Sequence, residues 1–187
     1  MIDAETKAPD GPAAMVGSAG QAAGQAAGQA AGQGKDLFAA PGPVTLRAPR
    51  RDDAGPIGMW LGEGAAARNL ALIPHPFPPG AAEALIARAL SGKRSGPLWV
   101  MDRDGEAVGL VFVRRDAEAG ADAYRVSYVV RPASRNTGCA TEGVTAAAQA
   151  LFAMGAAAVT AHVFTDDSVA AKVLTRLGFA YEGDGMD

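Results

Sequence analysis

A strand-like run at residues 124–130, Tyr-Arg-Val-Ser-Tyr-Val-Val, passes through Arg135-Asn136-Thr137-Gly138-Cys139-Ala140 into a helix-like run that begins near Thr141. This strand, glycine loop and helix junction constrains the chain more than any other stretch. The first N–H groups of a helix have no intrahelical partner, and the macrodipole leaves partial positive charge beside them. A glycine in the loop lets the backbone approach a ligand closely. The junction is therefore a candidate anion site.

The rest of the chain divides at residue 43. From Gly20 the unit Gly-Gln-Ala-Ala repeats three times and closes with Gly32-Gln33-Gly34. A four-residue period of small residues cannot bury a core, and each glycine opposes helix by about 1 kcal/mol. Residues 1–43 are therefore expected to be a low-complexity, flexible tail. Pro41-Gly42-Pro43 marks the change to a patterned domain over 44–187.

In that domain residues 44–48 alternate as a strand. Arg51, Asp52 and Asp53 offer caps for a helix through Leu61, and a short helical piece is expected at 65–70. Residues 80–90 carry helical periodicity. Residues 98–101 and 107–113 read as strands joined by the hairpin turn Asp102-Arg103-Asp104-Gly105. The strand at 124–130 follows, then a helix at 141–154, a β-branched strand at 157–164, and a last helix capped by Asp166 or Asp167 and ended by Gly178. Helices at both ends of a strand meander give an α+β fold around one sheet, not a βαβ series.

The formal net charge of -3 gives no electrostatic reason to expect nucleic acid or an anionic membrane as partner. No apolar run approaches spanning length, and the N-terminus lacks the basic start and apolar core of a secretory signal. The single cysteine, Cys139, excludes an internal disulfide framework and argues against a cysteine-based zinc site. A cytoplasmic, reducing setting is expected.

Three pieces of the domain together resemble the GNAT N-acetyltransferase superfamily, and its RimJ- and RimL-type branch most. The loop from Arg135 to Ala140, followed by Thr141-Glu142, matches the pattern Gln/Arg-x-x-Gly-x-Gly/Ala. Val163-Phe-Thr-Asp-Asp-Ser-Val-Ala-Ala-Lys-Val-Leu-Thr-Arg-Leu-Gly-Phe179 is similar to the family's last strand-to-helix segment. Asn69-Leu-Ala-Leu-Ile-Pro-His-Pro-Phe-Pro-Pro-Gly-Ala-Ala-Glu83 is similar to its substrate-side helix entry.

The resemblance implies a mixed, mostly antiparallel sheet flanked by helices, with acetyl-CoA as co-substrate and no metal. It implies direct attack by a primary amine of a small molecule or peptide. Arg135, Asn136, Thr137, Gly138, Cys139 and Ala140 would hold the coenzyme pyrophosphate. Val129 and Val130 would offer backbone groups to the pantetheine, Asp167 would help hold the coenzyme arm, and a main-chain N–H would stabilise the oxyanion.

No catalytic side chain stands out; Ser127, Tyr128 and Glu142 are the candidates. Glu142 is also favoured in a first helical turn by the dipole alone. Cys139 reads as space-filling, His75 as a loop residue shaping the acceptor site, and His162 as structural. Where the branch has Asn-x-x-Ser at the last helix, this chain has Asp167 and Ala170, and Leu174 stands where many relatives have a general-acid Tyr. After Phe179 only eight residues follow, too few for the two closing strands of the family. The expectation is an open sheet edge, covered by a partner chain such as a second copy, or completed in a longer natural chain. These departures motivate an alternative: an acyl-CoA-binding or interaction module with weak or no catalysis.

Overall fold

A computed structural model of the chain describes residues 12–18, 42–63, 73–74, 76–164 and 167–184. Strand β1 spans Pro12–Ser18 and β2 Thr45–Arg47. A 3-10 turn at Arg51–Asp53 leads into α1, Ala54–Gly62, and α2 follows at Ala81–Leu90. Strands β3, Leu98–Arg103, β4, Glu106–Arg115, and β5, Ala123–Val130, form the meander. Helix α3 is Cys139–Ala153, β6 Ala158–Phe164, α4 Ser168–Arg176 and β7 Ala180–Asp184. The expected helical piece at 65–70, His75 and the Gly-Gln-Ala-Ala repeats lie outside the described residues.

Five strands in the order β2-β3-β4-β5-β6 are flanked by the four helices, and the sheet extends beyond β6 through β1 to β7. Every pairing is antiparallel except β5 with β6. The mixed, mostly antiparallel sheet expected from the sequence is present.

Local chemistry explains the middle of the sheet. Residues 108–113 of β4 are buried in unbroken succession, as befits a central strand covered on both faces. Val111, Val113 and Val126 pack with Val144, Leu151 and Leu174 of α3 and α4. Leu110, Phe112 and Val129 pack on the opposite face with Ile57, Leu61 and Ile86 of α1 and α2. Asp104 and Gly105, with φ of 55° and 86°, make the two-residue turn that the Asp-Gly pair signals. Helix α3 sits hard against β3: a Cβ on Gly143 would meet Met101 Sδ at 2.7 Å.

The sheet's far edge differs from expectation. Pro12–Ser18, inside the expected tail, is a strand. It runs antiparallel to β6 from Pro12↔Phe164 to Ser18↔Ala158, and antiparallel to β7 on its other side. The short C-terminal segment supplies one closing strand, β7, and the N-terminal segment supplies the other. The β6 edge is thus covered within the chain, which corrects the expected open edge. Val16 has a partner on each side of β1, Thr160 in β6 and Ala180 in β7, so its N–H faces a ladder. Val16→Pro is therefore expected to lower stability by roughly 1–3 kcal/mol, read as a fall in Tm of several degrees. An unchanged Tm would place β1 outside the sheet.

Candidate functional site

Strands β5 and β6 pair only from Ala123↔Ala158 to Val126↔Ala161. Beyond that point β5 stays paired to β4 as far as Val130, and β6 stays paired to β1 as far as Phe164. The two strands part at Ser127 and His162. Two bonds fix the phase of β5: the Arg131 N–H donates to Val108 O, and the Asp116 N–H donates to Ala123 O. Odd-numbered residues of β5 therefore bond β4, and the backbone groups of Tyr128 and Val130 turn toward the split. Of the two residues expected to offer backbone to a coenzyme, Val130 turns its groups toward the split and Val129 turns its groups to β4. The strand's two-residue period gives that place to Tyr128.

The split opens into a cavity of about 730 Å³ that runs to the N-terminus of α3 and along α4. Gly138 is the N-cap of α3 at φ 85°, and no side chain caps the helix. The first intrahelical bond is Glu142 N–H to Gly138 O, so the N–H groups of Cys139, Ala140 and Thr141 precede the ladder. Asn136 is also left-handed, at φ 59°. Two left-handed residues on either side of Thr137 curl the loop into the kind of turn whose N–H groups form an anion-binding concavity. Arg135, Asn136, Gly138, Cys139 and Ala140 all line the cavity.

Arg103, buried at the end of β3, braces this loop from behind. Its Nη1 donates to Thr137 Oγ1 at 3.1 Å, and its Nη2 donates to Glu142 Oε1 at 3.1 Å. Thr137 Oγ1 in turn donates to Ser134 O at 2.7 Å. The other Glu142 oxygen accepts the Val44 N–H at 2.7 Å. Glu142 thus ties α3 to β3 and to the start of β2, which leaves it poorly placed as a base. Nothing in the sequence marked Arg103, because its partners lie more than thirty positions away.

The remaining candidates sort by environment. Cys139 is buried in the core cluster, as a space-filling residue would be. Asp167 caps α4 by accepting the Ala170 N–H at 3.0 Å, and both residues line the cavity. Leu174 is fully buried. Tyr128 also lines the cavity; burial, then the nearby Asp167 charge, pushes its phenol well above the usual tyrosine range. It stays protonated and can donate a hydrogen bond into the cavity. Among the described residues no cluster of His, Cys, Asp or Glu could hold a metal ion, and no helix is long and apolar enough to cross a membrane.

Below the split, the Asp116 carboxylate, just after β4, joins β5 to β6 by an ion pair to Arg125 and a hydrogen bond from Thr160. Arg125 Nε and Nη2 donate to Asp116 Oδ2 and Oδ1 at 2.9 and 2.7 Å. Thr160 Oγ1 donates to the same carboxylate, and Glu118 takes a further bond from Arg125. Burial works against the Asp116 charge, but the Thr160 and Arg125 bonds win and hold its carboxyl below the ordinary value. His162, half-buried and lining the cavity, feels this group. Burial first, then the Arg125 charge, push its imidazole below the ordinary histidine value, so it is neutral at pH 7.

Ser127 lines a second cavity, of about 460 Å³, on the α1/α2 side of the sheet. By strand alternation its side chain shares that face with Phe112. The two cavities meet at Ser127, where the strands part.

A family model described as an acetyltransferase (GNAT) domain matches residues 44–180. No curated protein matches the chain in sequence. Solved structures match it in fold. A GNAT-family acetyltransferase from Bacillus anthracis aligns with a TM-score of 0.62 at 15% identity, over 74% of this chain and 80% of that one. The RimJ of Mycobacterium smegmatis, in complex with CoA-disulfide, gives 0.61 at 20% over 76% of each chain. A GNAT superfamily phosphinothricin acetyltransferase of Sinorhizobium meliloti, in complex with AcCoA, gives 0.60 at 20% over 75% and 77%.

Proposed function

The chain belongs to the GNAT acetyltransferase family, and from that premise we propose that it transfers the acetyl group of acetyl-CoA to a primary amine of a small molecule by direct attack. The observation that carries this reading is the split between β5 and β6 leading to an uncapped, glycine-initiated helix N-terminus. Solved neighbours in the same fold bind CoA or acetyl-CoA. The M. smegmatis RimJ is one of those neighbours, and the RimJ/RimL likeness in the motifs points to the same branch.

In this reading the N–H groups of residues 137–141 and the Arg135 side chain take the pyrophosphate. The Tyr128 and Val130 backbones pair with the pantetheine as a strand would. The amine nitrogen enters from the Ser127 side and attacks the thioester carbonyl. The C–N bond forms, the C–S bond breaks, and the thiolate leaves. Neutral His162 accepts the proton that nitrogen sheds. The thiolate takes its proton from water, since Leu174 offers none.

Saturating acetyl-CoA is expected to stabilise the protein by about 2.7 kcal/mol at a hundred times Kd, read as a rise in Tm. No rise at millimolar acetyl-CoA would reject the reading. In His162→Ala, kcat is expected to fall on the order of 100-fold. The acid limb of the parent pH profile, with its midpoint below about 6.5, should vanish. Full activity with that limb intact would remove His162 from the mechanism. The second reading, coenzyme binding without transfer, is favoured by the buried Leu174. It predicts the Tm rise with no thiol release from any amine.

A further inference from the structure

We infer that the cavity on the α1/α2 side of the sheet selects a primary amine that also carries a carboxylate or phosphoryl-type anion, held by the guanidinium groups of Arg88, Arg94 and Arg114. This rests on the acetyl-transfer reading above and names the acceptor's chemistry.

Among the described residues the cavity is lined by three arginines and no acid, in a chain whose net charge is -3. Arg94 is the key group. It is half-buried, lies 5.6 Å from the Phe112 ring centroid, and has a buried Nε with no hydrogen-bond partner. Among the described residues, the other arginines held partly or fully inside the fold are all matched by carboxylates. Arg47 has Asp53 and Asp102, Arg103 has Glu142, Arg125 has Asp116 and Glu118, and Arg131 has Glu106. Among the described residues no carboxylate forms a salt bridge with Arg88, Arg94 or Arg114. Burial first, then repulsion from Arg88, depresses the Arg94 pKa, the signature of a positive charge left without an internal counter-ion. A bound anion would supply one, and the planar guanidinium fork matches a carboxylate or phosphoryl oxygen pair.

The geometry also limits the acceptor's length. Phe112 pairs directly with Ser127 across β4 and β5. The ring that Arg94 stacks on is therefore about one strand spacing, roughly 5 Å, from the point where the two cavities meet. An acceptor with its nitrogen at Ser127 and its anion at Arg94 is a short molecule, with the two groups a few bonds apart.

The test uses matched probes: aminopropylphosphonate and aminobutyrate against their neutral counterparts aminopropanol and aminobutanamide. Thiol release from acetyl-CoA is followed with each. The anionic probes are expected to give kcat/KM at least tenfold above the neutral ones, and their ranking tells phosphoryl from carboxylate. In Arg94→Gln that preference should collapse through KM, with acetyl-CoA affinity unchanged. Neutral probes that match the anionic ones, or a preference that survives Arg94→Gln, would overturn the inference. A second readout needs no catalysis: inorganic phosphate should raise the Tm of the parent more than that of Arg94→Gln, and equal shifts would also overturn it. If acetyl-CoA fails to bind, the transfer reading falls alone, because the phosphate comparison still decides the anion site.

Discussion

Replacing Gly138 with Glu is expected to reduce acetyl-CoA affinity by at least 100-fold, about 2.7 kcal/mol, in a protein that still folds. The first contribution is backbone strain. Gly138 sits at φ 85°, and a side chain in the left-handed region costs about 1–2 kcal/mol. The second is crowding: a Cβ there would lie 3.1 Å from Glu142 Oε1, an oxygen held in place by Arg103. The third is charge. A carboxylate at the N-cap would satisfy the helix N-terminus and occupy the place of the pyrophosphate, converting an anion site into an internal cap. Gly138→Ala keeps the strain and the crowding without the charge, so titrating acetyl-CoA into both variants separates the terms. Affinity in Gly138→Glu within threefold of the parent would mean that the coenzyme lies elsewhere.

Asp116→Ala is expected to destabilise the fold by about 3–5 kcal/mol, because removing one member of an internal ion pair leaves the other charged and desolvated. Arg125 would keep only Glu118, which is solvent-exposed, and Thr160 would lose its acceptor. Urea unfolding measures the loss. The double variant with Arg125→Met should recover part of it, since coupled sites are non-additive. A loss below 1 kcal/mol would show that the Asp116 carboxylate does not hold β5 to β6. The pH dependence has a definite sign. Asp116 is depressed in the folded state, so its contribution is present above the ordinary carboxylate value of about 3.9 and is lost as pH falls through the lower folded value. His162, also depressed, adds a separate loss of stability as pH drops below about 6.5, because the unfolded imidazole binds the proton more tightly.

Much of this was legible before any coordinates. The apolar run of β4, the Asp104-Gly105 turn, the Gly138 junction and the Asp167 cap are local signals, each decided within a few residues. What escaped depends on partners far along the chain. Arg103 looks like a hairpin residue until Thr137 and Glu142 come to it. Asp116 looks like the start of a turn until Arg125 and Thr160 close on it. Choosing between Tyr128 and Val129 needed the hydrogen-bond phase of β5, which a run of alternating residues does not reveal. Pro-Ala-Ala-Met-Val-Gly-Ser, the sequence of β1, has one β-branched residue and no alternation, so only its place between two strands makes it one.

The placement of β1 also sets a clock. On the ribosome Pro12–Ser18 is made long before its partners, which lie much later in the sequence, in β6 and β7. At about 5–20 residues per second, several seconds to half a minute pass before those partners exist. Through that interval the segment is an unpaired strand in a crowded cell, where a long run of Val and Ile would recruit neighbours into a mis-joined sheet. Its bland, small-residue make-up fits a strand that has to wait, and the ladders on either side of β1 close only after β6 and β7 have been made.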